Sequence, residues 1–473
     1  LQITNAKYIV GLDALLEHFI YPILDKWDFN LIIYTNLLDI APSIPKWKRW
    51  VAKRIGKVPS SKIKLENSVS FLKCLKKNYP FPEVSINPVI DPAVYMMTGG
   101  TTGVPKAAVL THFNCVSNVK QSEQTLFNQK IPNREKSLGQ GTGMIGVLPL
   151  FHSFAMTSVM NFAIGVGGWA ILFPKPPPTL ELLETFQDLP DHNGFIYCAA
   201  EILFQRIAEL PQETLNNYDL KGKLTLCISG AGPLHEYVRI PYEKKTGSII
   251  REGYGLAETS PIVSANNFFG ESNPGTIGTP FPGTDWGIFP IDNFEQGAIT
   301  EFGEEGTGEI CVHGPQVMKE YLNEPEQTTE TLKIWNDRIW LRTGDIGFMD
   351  EHGRITIRDR KKQLIKMAGH SVFPKEIETL IGQHPKILEV AVAGIPDKKT
   401  GEAVKAWVAL KPEARGTLSS EELIAWIEDN LTYWKVPKYL EIIEEVPKSA
   451  IGKVMRRQLQ EADPLYQVEA MEQ

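Results

Sequence analysis

Between Tyr95 and Lys106 the chain reads Tyr-Met-Met-Thr98-Gly99-Gly100-Thr101-Thr102-Gly103-Val-Pro-Lys106, and this run limits the fold more than any other. An apolar, strand-like stretch at 91–97 leads straight into three glycines and three threonines. Glycine lets successive backbone N–H groups turn toward one point, and such nests hold anions. Threonine hydroxyls add donors, and Lys106 adds a mobile positive charge. The run therefore reads as a strand that ends in a phosphate-binding loop. The common P-loop is excluded, because no Gly-Lys-Ser/Thr closes it.

The rest of the chain fits a helix-covered sheet around such a loop. Short apolar runs at 6–11, 30–34, 94–97, 145–149, 170–173, 194–198 and 224–229 read as strands, with helix-like stretches between several of them. That alternation predicts an α/β fold, with a large N-terminal domain over 1–359 built on mostly parallel sheets. From 273 to 349 the texture changes to glycine-rich turns with Val, Ile and Trp strands, which predicts a β-rich, barrel-like subdomain. A small, mobile α+β domain is expected over 360–473, with helices near 375–382 and 419–430 and strands near 390–394 and 403–411.

At 473 residues the chain is long enough for more than one domain, and 42% hydrophobic with 22% charged residues is ordinary globular composition. A net charge of −7 gives no general attraction to nucleic acid. Cys74, Cys115, Cys198, Cys227 and Cys311 are scattered without a CxxC pair, which suits reduced thiols and a cytoplasmic protein. The stretch 143–174 carries no Asp, Glu, Lys or Arg and is long enough to span a bilayer. Pro149, His152 and several glycines interrupt it, so a buried strand–helix–strand unit fits better. The stretch 46–57 has six positive charges and no acid, with Trp47, Trp50, Val51 and Ile55 near one helical face. Such a helix suits an anionic bilayer surface; the alternative is a surface helix with its tryptophans packed inward.

Further constellations carry chemistry. In Arg251-Glu-Gly253-Tyr254-Gly255-Leu-Ala257-Glu258-Thr259-Ser260, a tyrosine between glycines can lay its ring on a base, and Glu258 is a hard oxygen ligand for magnesium on a nucleotide phosphate. In Trp340-Leu-Arg342-Thr343-Gly344-Asp345, the carboxylate can accept both hydroxyls of a ribose, or can simply close a β-turn. Near the end, Gly452-Lys453 sets a lysine on a glycine-preceded loop, a cation able to neutralise a carboxylate and a phosphate that approach each other, or simply part of a basic tail. His152 follows an apolar strand and on its own could be a core histidine. Arg360-Lys361-Lys362 is, by itself, a solvated charge cluster. The GxGxxG at 141–146 precedes a strand instead of following one and lacks the expected acid, so it is not a dinucleotide site.

Together these motifs resemble the adenylate-forming superfamily of acyl-CoA synthetases, aryl-CoA ligases, luciferases and peptide-synthetase adenylation domains. That family reads Thr-Ser-Gly-Thr-Thr-Gly-x-Pro-Lys-Gly at the loop; here Gly99 replaces the serine and Ala107 the last glycine. The Thr-Gly-Gly-Thr-Thr-Gly variant looks like bacterial-type long-chain fatty acyl-CoA synthetases. The resemblance extends from the first strand to Arg457. It implies ATP-dependent, AMP-forming ligation of a fatty acid, expected to be long-chain, to coenzyme A through an acyl-adenylate. ATP, Mg2+ and coenzyme A are the implied co-substrates.

By resemblance, Thr98, Gly99, Gly100, Thr101, Thr102, Gly103 and Lys106 hold phosphates, and Tyr254 with Gly253 and Gly255 stacks on adenine. The turn Gly230-Ala231-Gly232 forms the opposite wall. Glu258 holds magnesium, Thr259 contacts phosphate, Asp345 binds ribose, and Arg360, fifteen positions on, also reaches the nucleotide. Lys453 serves adenylation, Lys366 and Gly369 face a pantetheine tunnel, His152 sits where acyl pocket and tunnel meet, and Lys362 is the hinge. Ala257 stands where the family usually has threonine, and Gln363 where it has an acid. The family carries a longer lead before its loop, so an N-terminally truncated chain is expected. Two alternatives stay open: a synthetase for short-chain, aryl or other acids, and a nucleotide-binding pseudoenzyme or inactive fragment. A peptide-synthetase module is disfavoured, because no carrier-domain serine motif follows Lys453. Acyl preference is unread, and a homodimer is left open.

Overall fold

The computed structural model describes residues 3–40, 44–77, 79–80, 82–98, 105–127, 138–190, 194–367, 370–448 and 454–466. The chain divides into two compact units, Leu1–Asn87 and Pro88–Gln473. In the first, the strands Tyr8–Leu12, Leu31–Thr35 and Ser68–Ser70 form a parallel sheet with Leu31–Thr35 in the middle. Leu16, Ile20, Phe29 and Ile32 make its core. The buried amide of Asn36 donates to both oxygens of buried Asp13, at 3.0 and 3.1 Å, so that carboxylate is not left unpaired.

The helix Lys46–Arg54 belongs to this unit and departs from the packing expected of a surface helix. Its partly covered residues are Arg49, Ala52 and Lys53, whereas Trp47 is 65% and Trp50 61% exposed. Arg49 donates to the carbonyl of Leu38 at 3.5 Å, which holds the basic side of the helix against the unit. Lys48 lies over the Trp47 ring and Arg54 over the Trp50 ring, at 5.5 and 5.3 Å.

The second unit is organised by a seven-stranded sheet. Its order is Thr279–Pro280, Ile262–Ala265, Ile250–Gly255, Leu224–Ser229, Phe195–Ala199, Gly143–Gly146 and Trp169–Leu172. The last five run parallel, and the first two are antiparallel additions. Every residue of Phe195–Ala199 and Gly143–Gly146 is buried, as expected for parallel strands covered on both faces. One cover is aromatic: Phe186, Tyr197, Phe204 and Tyr242 meet edge to face with centroids 5.1–5.2 Å apart. The uncharged stretch 143–174 forms strand Gly143–Gly146, helical turns from Ser153 to Gly165, and strand Trp169–Leu172. Among the described residues, no helix is long and apolar enough to cross a membrane.

Two further sheets flank this core. Pro92–Thr98 and Lys106–Thr111 form an antiparallel hairpin, extended by the two-residue strand Glu320–Tyr321. A five-stranded antiparallel sheet contains Asp285–Phe289, Gly308–His313, Leu332–Trp335, Arg338–Met349 and Ile355–Arg360. Its long strand Arg338–Met349 pairs with three others, so it carries the β-rich region.

The C-terminal portion has a core of its own. Ile365, Ile377, Ile381, Val392, Val404, Val408, Leu423 and Ile427 are buried together. They come from a five-stranded mixed sheet and from the helices Pro374–Gly382 and Ser420–Glu428. Ser419 and Glu422 form a capping box at the start of the second helix.

Candidate active site

A cleft of about 1810 Å³ opens where these sheets meet, and its walls come from many separated stretches between Val94 and Glu461. Thr98 and Lys106 pair at the loop end of the hairpin, and both line the cleft. Gly99, Gly100, Thr101, Thr102 and Gly103 lie outside the described residues, as do Gly369 and Lys453.

The strand Ile250–Gly255 brings Tyr254 to the cleft wall. Its hydroxyl donates to Asp345 Oδ2 at 2.6 Å, a short bond to a charged acceptor. Burial first, and the neighbouring carboxylate second, push the Tyr254 phenol well above its ordinary value. Gly255 is required by close approach, since a Cβ there would stand 2.0 Å from the Pro261 carbonyl oxygen. Gly230 and Ala231 line the cleft, and Gly232 is not among its lining residues. Ala231 holds a left-handed φ of 70°, a conformation that costs a residue with a Cβ about 1–2 kcal/mol.

Asp345 is 3% exposed and sits in the strand Arg338–Met349 directly opposite Arg360. Its Oδ1 pairs with Arg360 Nε at 2.9 Å, so Tyr254 and Arg360 hold one oxygen each. Asp345 in turn raises the Arg360 guanidinium above its usual value. Arg360 and Lys362 line the cleft. Burial first and the Lys106 charge next lower the Lys362 ammonium, which puts these two cations in one neighbourhood.

Glu258 lies in the short helical turn Ala257–Thr259 and faces the cleft. Tyr321 donates to its Oε1 at 2.7 Å, and Lys106 Nζ stands 5.0 Å over the Tyr321 ring. Among the described residues, no group of three or more His, Cys, Asp or Glu could hold a metal ion. A lone carboxylate does fit Mg2+ that arrives on phosphates, because that ion takes one or two protein carboxylates and keeps its other oxygens.

Thr259 is not among the lining residues of the cleft. Its side chain is fully buried, and its hydroxyl donates to the Pro261 and Leu256 carbonyls while accepting from Leu256 N at 3.0 Å. It closes the turn that presents Glu258. His152 lines the cleft and caps the helical segment beginning at Ser153, its Nδ1 accepting from Phe154 N at 3.2 Å. Lys366 is the exposed residue of the strand Ile365–Met367 and is not among the lining residues; Val454, Met455 and Arg456, just after Lys453, are.

Residues 31–322 match the AMP-binding enzymes, and 376–453 match the AMP-binding enzyme C-terminal domain. The chain belongs to the AMP-binding enzyme family. It is 38% identical over 436 residues to a long-chain-fatty-acid–CoA ligase of Bacillus subtilis (strain 168), covering 91% of this chain and 73% of the relative. A ligase of the same description from Escherichia coli O157:H7 is 34% identical over 453 residues, covering 94% and 75%. Among solved structures, ATP-bound MatB from Rhodopseudomonas palustris superposes with a TM-score of 0.73 at 24% identity, covering 96% of this chain and 88% of that one. That likeness shows the fold: a large N-terminal and a small C-terminal domain of adenylate-forming type.

Within this AMP-binding enzyme, sequence reasoning missed Tyr321 altogether. It stands 215 positions after Lys106 and 63 after Glu258, at the end of a two-residue strand. No local pattern marks such a tyrosine; only the pairing with Lys106–Thr111 brings it to the site.

Proposed function

We propose that the chain ligates a fatty acid, long-chain by preference, to coenzyme A in two steps at one cleft. The observation that carries this reading is the convergence of Lys106, Tyr254, Glu258 and Arg360 on a single cleft, in a chain 34–38% identical to long-chain-fatty-acid–CoA ligases. In the first step the fatty carboxylate attacks the α-phosphorus of ATP and pyrophosphate leaves. In the second the coenzyme A thiol attacks the acyl carbon and AMP leaves. A free carboxylate is a poor acyl donor, and the adenylate supplies the leaving group.

The residues divide the work by chemistry. Tyr254 offers a ring to adenine, and Asp345, held by Tyr254 and Arg360, accepts the ribose hydroxyls. Lys106 and Arg360 balance the phosphates, with the loop 99–103 donating backbone N–H groups. Glu258 would hold magnesium, which when bound neutralises phosphate charge. Lys453 neutralises the attacking carboxylate and the α-phosphate together. Between the steps the portion from 360 onward rotates about Lys362, exchanging the Lys453 face for the Lys366–Gly369 face. Supporting this are the separate core of that portion and the lining of the cleft by Val454–Arg456 while Lys366 stands away from it.

The test is acid-dependent exchange of pyrophosphate into ATP across acetate, octanoate, palmitate and benzoate. Exchange greatest with palmitate is expected. Exchange greatest with a short or aromatic acid would move the reading to a sister synthetase. ATP binding without exchange on any acid, in folded protein, would favour a pseudoenzyme or an inactive fragment.

The helix Lys46–Arg54 supports peripheral contact with an anionic bilayer. Trp47 and Trp50 point outward, flanked by exposed Lys46, Lys48, Arg54 and Lys57, the pairing of indole and cation that suits a charged lipid interface. Flotation with phosphatidylglycerol vesicles is expected, and it should weaken when those four cations are neutralised. Equal flotation with neutral phosphatidylcholine, or no change in the variant, would remove this contact.

A further inference from the structure

The geometry points to Tyr321 as a positioning residue that fixes the Glu258 carboxylate and the Lys106 ammonium relative to each other. This rests on the reading of the cleft as a site for Mg–ATP. Tyr321 lies opposite Ala108 in the hairpin extension, so it is the diagonal cross-strand neighbour of Lys106 on the same face. That diagonal is short enough for an aromatic ring, and the Lys106 Nζ sits 5.0 Å from the ring centroid. At the far end of the same ring the hydroxyl donates to Glu258 Oε1 at 2.7 Å. One rigid side chain thus spans from a cation that serves phosphate to the carboxylate that would serve the metal.

The surrounding backbone holds this span in place. Tyr321 is 7% exposed, and its N–H donates to Thr328 Oγ1 at 3.0 Å. Three residues earlier, Met318 N–H donates to the Glu258 carbonyl at 2.8 Å. The Ser260 hydroxyl donates to the Gln316 carbonyl at 2.9 Å. The segment 316–321 therefore grips the turn Ala257–Thr259 at its main chain as well as at the glutamate. The phenol occupies one carboxylate oxygen, which would leave the other for a cation bound in the cleft.

Two variants separate the ring from the hydroxyl. In Tyr321→Phe the ring remains and the bond to Glu258 is lost; in Tyr321→Leu both go. The readout is ATP binding to the full chain by calorimetry, titrated with Mg2+ and repeated in EDTA, without acid or coenzyme A. For Tyr321→Phe, the Mg2+ concentration giving half-maximal enhancement of ATP binding should rise roughly three- to tenfold, with binding in EDTA unchanged. Tyr321→Leu should also weaken binding in EDTA, because Lys106 loses its support. Unchanged Mg2+ dependence in folded Tyr321→Phe overturns the inference. If Tyr321→Leu fails to fold, the phenylalanine variant decides. Because no acid enters the experiment, the result stands apart from whether fatty acids are the substrates.

Discussion

Glu252 sits on the strand that carries Tyr254 and tests whether the cleft wall is as dry as its packing implies. Burial is the main cause that lifts its carboxyl from an ordinary 4.5 to about 7, and Glu201 lifts it further. Lys375, the Leu234 N–H at 3.4 Å and His235 oppose the rise. Glu201 is itself bound to His235, its Oε1 2.9 Å from His235 Nδ1. For a carboxyl raised in the folded state, its favourable contribution is full below the unfolded value near 4.5 and is lost as the pH climbs through about 7. The whole loss corresponds to roughly 3 kcal/mol. About 2.5 kcal/mol of it falls between pH 5 and pH 8.5. Glu252 keeps some solvent contact, so about 2 kcal/mol is the expected effect, a change of roughly thirtyfold in the folded-to-unfolded ratio. Glu252→Gln keeps an acceptor for Leu234 and removes the charge. Urea unfolding of both proteins, followed by tryptophan fluorescence, should give similar stabilities at pH 5. At pH 8.5 the variant should be the more stable by about 2 kcal/mol. The same gap at both pH values would refute a desolvated carboxyl at this position.

Two other substitutions address the chemistry. Tyr254→Phe removes the donor to Asp345 and should raise the KM for ATP by about tenfold with the fatty-acid KM unchanged, measured by initial rates. Lys453→Ala should abolish pyrophosphate exchange while supplied acyl-adenylate still yields thioester; equal loss of both steps would sink the division of labour between the two faces.

The layout of strands was legible because buried parallel strands leave apolar runs between helices. The strand Leu224–Ser229 lies where its sequence places it, and the uncharged stretch 143–174 folds as strand, helical turns and strand. Side-chain direction was less legible. The motif around Glu258 contains a threonine that looks available for phosphate, yet Thr259 spends its hydroxyl closing its own turn. A short motif does not distinguish a hydroxyl that meets a ligand from one that shapes the loop presenting it. The amphipathic pattern at 46–57 likewise gives a face but not its direction. The helix packs through Arg49, Ala52 and Lys53 and leaves its indoles outside, against the ordinary preference to bury them. Tyr321 shows the remaining gap, since strand pairing brings it to Lys106 across 215 residues and a side-chain hydrogen bond joins it to Glu258 across 63.

The charges of the cleft bear on how the hinge and the site are linked. Lys106, Arg360 and Lys362 all line it, as does Glu258, which accepts from Tyr321, while Asp345 beside the cleft is held by Tyr254 and Arg360. Burial first and the charge of Lys106 next lower the Lys362 ammonium, so an anion bound between these cations would oppose that shift. A triphosphate relieves that repulsion by its charge alone, whereas a neutral ligand of the same shape does not. Because Lys362 is also the proposed pivot, departure of pyrophosphate would return part of the repulsion at the point about which the C-terminal portion turns. On the proposed hinge, loss of the leaving group and release of the adenylation arrangement would then share one electrostatic cause.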